Sequence, residues 1–371
     1  MNLQFAKNLS IVALALLLCP LIHASERILF KSGEEGYSNY RIPSLITVKD
    51  QTILAFAEAR KDHRGDSGNI DLVMKRSTDN GQSWSKLQVV WDAGPNTAGN
   101  PCPVLDQFTG RIVMLMCWNL ATDHGRDLHA GTAEDTRRVY QTHSDDNGLT
   151  WSEPVEITAA VKPLNWWWYA TGPGVGIQLR KGPKTGRLVI PANHTAEGYY
   201  GAHTLFSDNG GETWSISAPI HPTTNESQVV ELSDGRLMMN MRTQGVSDTS
   251  RPYAGYRSIA YSKDGGENWT KPVSDDELGD PICQASIIRY DENTLLFSNP
   301  DSGISLKRGP RENMTIQLSE DDGQTWTRSK VVYAGSSAYS CLARLPNSKV
   351  GILYEKDKDI AFASYDISEI R

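Results

Sequence analysis

Short apolar runs separated by polar turns recur along the whole chain. Clear cases are RIVMLMCW from Arg111, RLVIP from Arg187 and RLMMNMR from Arg236. Each follows a turn pair: Thr109-Gly110, Thr185-Gly186 or Asp234-Gly235. Apolar runs of this length, bounded by turn residues, predict strands joined by hairpins. No extended stretch carries a helical period, so long helices are not expected.

A repeat is superposed on this pattern. Five segments share the frame Ser-x-Asp-x-Gly-x-x-Trp: STDNGQSW from Ser77, SDDNGLTW from Ser144, SDNGGETW from Ser207, SKDGGENW from Ser262 and SEDDGQTW from Ser319. The third departs from the frame, with Asn209 in the Asp position. Successive starts lie 55 to 67 residues apart. Asp and Gly suit a tight turn in which Gly takes a positive φ. The Asp carboxylate can accept the turn's N–H groups, and Trp folds back as an apolar plug. Repeated four-stranded units at this spacing predict an all-β chain arranged as a six-bladed β-propeller. The sixth unit would be completed by pairing Arg27–Phe30 with Ile360–Tyr365.

Composition narrows the class. The 371 residues are 39% hydrophobic and 22% charged, which is neither a disordered chain nor a membrane bundle. A net charge of −7 argues against nucleic acid as partner. Lys7 is the only charge before Glu26, Ile11–Ile22 is apolar apart from Pro20, and Ala24 is small. These features predict a signal peptide over residues 1–24, with a single domain over 25–371. Leu18 before Cys19 is bulkier than a lipoprotein leader requires. No later stretch is long and apolar enough to span a membrane, so the mature protein is expected to be exported, soluble and monomeric. Cys102 and Cys117 could pair across a strand, or all four later cysteines could be buried thiols. No Cys/His spacing implies a metal and no phosphate loop appears, so no cofactor is expected.

Outside the repeats several segments stand in a specific order. They are Tyr40-Arg41-Ile42-Pro43, AFAEAR ending at Arg60, DSGNIDLVMKR from Asp66, WYATGPGVGIQL from Trp168, NESQVVELSDGRLMMNMR from Asn225, RENMTIQL from Arg311 and AYSCL from Ala338. Together with the Asp boxes, this order resembles the retaining exo-α-sialidases (neuraminidases) of bacterial secreted type. The resemblance covers nearly the whole mature chain. It implies sialoglycoconjugate substrates: terminal α-linked sialic acid on glycoproteins, glycolipids or oligosaccharides.

The resemblance also implies roles for individual residues, and the chemistry makes each intelligible. Sialic acid carries an ionised carboxylate on its anomeric carbon. Arg41, Arg242 and Arg311 match the family's arginine triad, whose planar donors suit that anion. A carboxylate nucleophile would be repelled, because two like charges at about 4 Å cost roughly 4 kcal/mol at an effective dielectric of 20. Tyr339 matches the family's neutral nucleophile, and Glu226 the glutamate that serves as its base. Asp66 matches the acid/base aspartate, with Asp62 close by. An ordinary Asp would need its pKa raised by burial to act near neutrality, and the arginines should favour a Tyr339 phenolate. Glu355 resembles the partner that orients the first arginine. Arg60 is placed near the sugar's 4-hydroxyl, and Asp127, in the charged loop Asp123–Arg138, is a candidate for the N-acetyl N–H.

Trp166-Trp167-Trp168 could stack on a sugar or pack in the core. The sequons at Asn193, Asn225, Asn268 and Asn313 fall where glycans would obstruct the site or a hairpin, which fits a bacterial origin without glycosylation. Two other readings remain open at this point. One is a trans-sialidase or intramolecular trans-sialidase with the same catalytic set. The other is a non-catalytic sialic acid-binding propeller.

Overall fold

The computed structural model describes residues 26–244, 255–303 and 309–371; the leader segment lies outside them. The described part is all-β. Its helical content is two short helices, Gly125–Ala130 and Thr158–Val161, and a single 3-10 turn at Ile367–Glu369.

The strands run as successive antiparallel meanders. Asn39–Thr47, Ile53–Arg60 and Ile70–Ser77 pair in order, with Gln88–Trp91 added at the edge. The same order recurs from Thr97–Leu105, from Trp166–Thr171, from Thr224–Glu231 and from Ser286–Arg289. The long strand Arg328–Leu345 serves two meanders. Its first half pairs with Glu312–Ser319 and its second half with Lys349–Lys356. The two ends of the chain meet as expected: Arg27 stands opposite Phe362, Ile28 opposite Ala361 and Phe30 opposite Ile360. The runs beginning at Arg111, Arg187 and Arg236 form Ile112–Asn119, Leu188–Ala196 and Leu237–Thr243. Gly110, Gly186 and Gly235 before them all have positive φ, which explains glycine there.

Every repeat serine is the last residue of a strand. In the first box Ser77 Oγ donates to Asp79 Oδ1 (2.8 Å) and accepts from Gly81 N (2.8 Å), while Ser83 N donates to Asp79 Oδ1 (2.8 Å). Asn209 reproduces this in the third box. Its Oδ1 accepts from Ser207 Oγ (2.9 Å) and Thr213 N (3.0 Å), and its Nδ2 donates to Thr213 Oγ1 (2.9 Å). The turn needs an oxygen acceptor at that position and tolerates the missing charge.

The core is a series of buried layers between neighbouring meanders. One layer joins Leu54, Phe56 and Met74 to Ile112 and Met114; another joins Val104 and Leu115 to Ile190 and Leu205. A third joins the chain's two ends, bringing Phe30, Ala55 and Val73 together with Leu353, Ile360 and Phe362. The four described cysteines are buried free thiols, which decides between the two alternatives for them. Register explains why no bridge forms: Cys102 stands opposite Leu115, and Cys117 opposite Gly99.

Candidate active site

Several of the sequence-predicted site residues sit at or beside places where strand pairing breaks. Register shifts fall between Arg41 and Ser44, between Thr224 and Ser227, between Ser337 and Ser340, and between Glu312 and Met314. A bulge turns side chains off the regular alternation and often marks a functional site. At the first shift Ile42 has φ 57°, a costly conformation for a β-branched residue. Glu355 holds this kink, because its Oε1 accepts from both Arg41 Nε (3.1 Å) and Ile42 N (3.1 Å). One carboxylate thus fixes the backbone and aims the guanidinium.

Tyr339 lies at the centre. Its hydroxyl donates to Glu226 Oε1, and Arg242 Nη1 reaches both Glu226 Oε2 (2.6 Å) and the Tyr339 oxygen (3.4 Å). The guanidinium carbons of Arg41 and Arg311 stand 5.2 and 5.7 Å from the Tyr339 ring centroid. Three guanidiniums therefore surround one phenol. Arg311 donates to the Ile282 carbonyl, and among the described residues it makes no ion pair. Its Nε and that of Arg242 are buried without a partner.

Burial, then Glu226, pushes the Tyr339 hydroxyl well above its usual range; Arg242, Arg41 and Arg311 pull the other way and are outweighed. The sequence expectation had the arginines' direction right but omitted the larger cost of burial. Asp66 differs in the opposite sense. Burial acts to raise its carboxyl, but Arg60 and Arg41 outweigh that and hold it below the usual carboxylate range. Its Oδ1 lies 2.9 Å from Arg60 Nη1 and 3.0 Å from Arg41 Nη1. The side chain is 60% exposed, so it sits on the rim rather than in a dry pocket.

Arg60 and Asp127 are both held by protein partners. Arg60 is buried, and its donors go to Glu58 Oε2, to Asp66 and to the carbonyls of Arg64 and Gly65. It bears directly on Asp66. Asp127 lies on the short helix and meets Arg126 Nε at 3.3 Å. That loop also brings His124 to Ser67 (3.1 Å), beside Asp66, and His129 onto Trp168, with ring centroids 4.4 Å apart. Burial first, then Arg137 and Arg242, lower His129 to about 4, so it is neutral at physiological pH. Arg137 covers Trp168 with its guanidinium carbon 4.0 Å from the ring centroid. Trp168 also donates Nε1 to Asn193 Oδ1 (3.2 Å). Trp166 is buried and Trp167 and Trp168 are half-buried, so the aromatic run is mostly packing. Sequence reasoning missed Glu58, Arg137 and His129. Glu58 was legible in principle, because it shares a strand face with Arg60 two residues on. Nothing local marks the other two.

Asn193 and Asn225 are buried, which fits the absence of glycans expected at those positions. Among the described residues no group of three or more His, Cys, Asp or Glu side chains is arranged to hold a metal ion. A cavity of about 240 Å³ opens beside the arginines, lined by Arg41, Arg64, Arg311, Ser336, Ser337 and Glu355, among others. A larger one of about 450 Å³ lies elsewhere, around Phe108, Lys184, Arg187 and Asp208. Arg187 and Asp208 there are already paired through two bonds of 2.7 Å, whereas the smaller cavity adjoins Arg41 and Arg311.

The BNR repeat-like domain family matches residues 51–352. The sialidase of Micromonospora viridifaciens is 36% identical over 93% of this chain and 54% of its own length. The exo-alpha-sialidase of Aspergillus fumigatus is 35% identical over 87% of this chain and 80% of its own. Among solved structures, the Hadza microbial sialidase Hz136 superposes with a TM-score of 0.83 at 32% identity, covering 93% of this chain and 69% of that one. The chain therefore belongs to the sialidase family, whose members are glycoside hydrolases. It spans about half the length of the Micromonospora relative.

Proposed function

We propose that the chain is a retaining exo-α-sialidase that removes terminal α-linked sialic acid from glycoconjugates. The observation that carries this reading is the hydrogen bond from Tyr339 to Glu226 beneath three arginines. Arg311, which makes no ion pair among the described residues, and the unsatisfied Nε atoms of Arg242 and Arg311 are what a bound carboxylate would compensate. Family membership supplies the substrate class.

The mechanism proposed with it assigns each of these residues a role. Arg41, Arg242 and Arg311 hold the substrate carboxylate and so orient the anomeric carbon over Tyr339. The phenolic oxygen attacks that carbon while Glu226 takes the phenolic proton. The glycosidic bond breaks, and Asp66 gives its proton to the departing oxygen. Water then attacks the tyrosyl-linked sugar, Asp66 takes a proton from it, and Glu226 returns a proton to Tyr339. Two inversions give net retention. Substrate binding also helps Asp66: a carboxylate on Arg41 offsets one of the charges that keep Asp66 ionised. In this reading the meanders are six blades around an axis, supported by the paired chain ends and the buried layer between them. Residues 1–24 are then the leader of an exported bacterial enzyme.

A fluorogenic sialoside assay tests the activity directly. NMR should detect the α-anomer of free sialic acid first; β-anomer appearing first would contradict retention. Product analysis with added galactoside distinguishes hydrolysis from transfer, and an anhydro sugar would mark the intramolecular reaction.

A further inference from the structure

The cavity beside the arginines extends past the triad. Its lining includes Arg41 and Arg311, but also Arg64, Ser336, Ser337 and Asp357, while Arg242 lies outside it. A carboxylate offers about four lone-pair sites, and three guanidiniums fill them once one of the three binds through two parallel bonds. Arg64 is therefore surplus to the sugar's own carboxylate. Its guanidinium is also uncommitted: Nη1 meets the Asp357 carbonyl at 3.4 Å, and Nη2 stands 3.9 Å from Glu355 Oε2, an atom that accepts no hydrogen bond. The side chain is 49% exposed. Its backbone is nonetheless fixed, because the Arg64 carbonyl accepts from Arg60. Ser337, which lines the same cavity, is buried, and its hydroxyl has no partner.

Position in the chain says what this extra cation faces. Arg64 lies two residues before Asp66, on the same exposed loop. On the reading above, Asp66 protonates the departing oxygen, so the leaving group passes this loop. We propose that Arg64 is a specificity residue for the aglycone, recognising sialosides whose leaving group itself carries a carboxylate, such as a second sialic acid. A guanidinium suits that anion because it can donate two parallel bonds to a planar carboxylate. This inference rests on the proposed sialidase activity.

The test compares kcat/KM on a sialic acid dimer and on sialyllactose, whose aglycone is neutral, for the wild type, Arg64→Gln and Arg64→Lys. The expected result is a fall of about fivefold or more in the dimer-to-lactose ratio for Arg64→Gln, carried by KM, with part of it restored in Arg64→Lys. Added salt should lower the same ratio in the wild type. An equal loss on both substrates would mean that Arg64 serves the sugar or the fold, and would overturn the proposal. So would a ratio that does not move, or a wild type that cleaves sialyllactose but not the dimer. A wild type that cleaves neither defeats the sialidase reading itself, and the inference falls with it.

Discussion

Tyr339 is a poor nucleophile in the free protein, since burial and Glu226 hold its hydroxyl well above the usual phenol range. The proton must leave as the bond to carbon forms, and Glu226 Oε1 is the acceptor in contact. Glu226→Gln keeps the shape and the bond to Arg242 but removes the base. It should lower kcat by on the order of 10²–10⁴ while changing the affinity for a sialic acid analogue only a few-fold. Steady-state kinetics with inhibitor titration would show this, and a variant with wild-type kcat would remove Glu226 from the mechanism. Asp66 makes a second prediction with a sign. Arg60 and Arg41 hold its carboxyl below the usual range, so the protonated form grows only as pH falls. For substrates with a poor leaving group, kcat/KM should therefore decline as pH rises from acid toward neutral. Asp66→Asn should cut sialyllactose cleavage by about 10²–10⁴ and aryl sialoside cleavage far less, because a phenolate leaves without a proton. Equal losses on both would exclude Asp66 as the acid. The identities of these residues were legible in the chain because each stands in a distinctive motif. Their protonation was not, because it depends on burial and on arginines distant in sequence. Arg137 and His129 were invisible for the same reason: the charged loop that holds them gives no periodic signal, and only folding sets His129 against Trp168.

The Asp box is the element whose physics the sequence displayed most completely. Serine, acid, glycine and tryptophan each occupy the place their chemistry suggested, and even the exception at Asn209 keeps the bonding. The site strands were less legible. Their alternation predicted regular pairing, whereas the residues that matter sit on bulges that no local pattern announces. Asp146 turns the box into a pH prediction. Burial acts to raise its carboxyl, but the hydroxyl and N–H of Thr150 and the hydroxyl of Ser144 outweigh it and bring it to about 2. A carboxyl depressed in the folded state stabilises above its unfolded pKa, and that contribution is lost as pH falls from about 4 to about 2. Asp146→Asn should keep Tm at pH 7 within about 3 °C of the wild type, since Asn209 shows that an amide fits. The gap between the two should then shrink on acidification, because Asn cannot titrate. A gap that stays constant down to pH 2 would mean the box carboxylate has no part in acid stability.

At the scale of the molecule, the two ends of the chain share one buried layer. Phe362, near the C-terminus, is fully buried and meets Trp84 of the first box edge-on, with ring centroids 5.1 Å apart. The fit is close enough that a Cβ on Gly81 would lie 2.4 Å from the Phe362 ring, so glycine is required there for space as well as for φ. Arg27–Phe30 covers the outer strand Asp359–Asp366, which would otherwise present an open edge. If the meanders form a closed ring, this layer is the seam on which closure depends. Phe362→Ala should then cost about 3–5 kcal/mol, as for other buried aromatic truncations. Its effect should also appear on both sides of the seam. Hydrogen exchange should accelerate together in Ile53–Arg60 and in Lys349–Lys356, although about 290 residues separate them along the chain. Phe297→Ala is the comparison, since Phe297 is equally buried and packs against Trp326 at 5.6 Å within one region of the chain. That variant should lose similar stability yet leave exchange in Ile53–Arg60 at the wild-type rate under native conditions. If Phe362→Ala loosens only the C-terminal strands, the ends are neighbours without being a seam, and the ring reading fails.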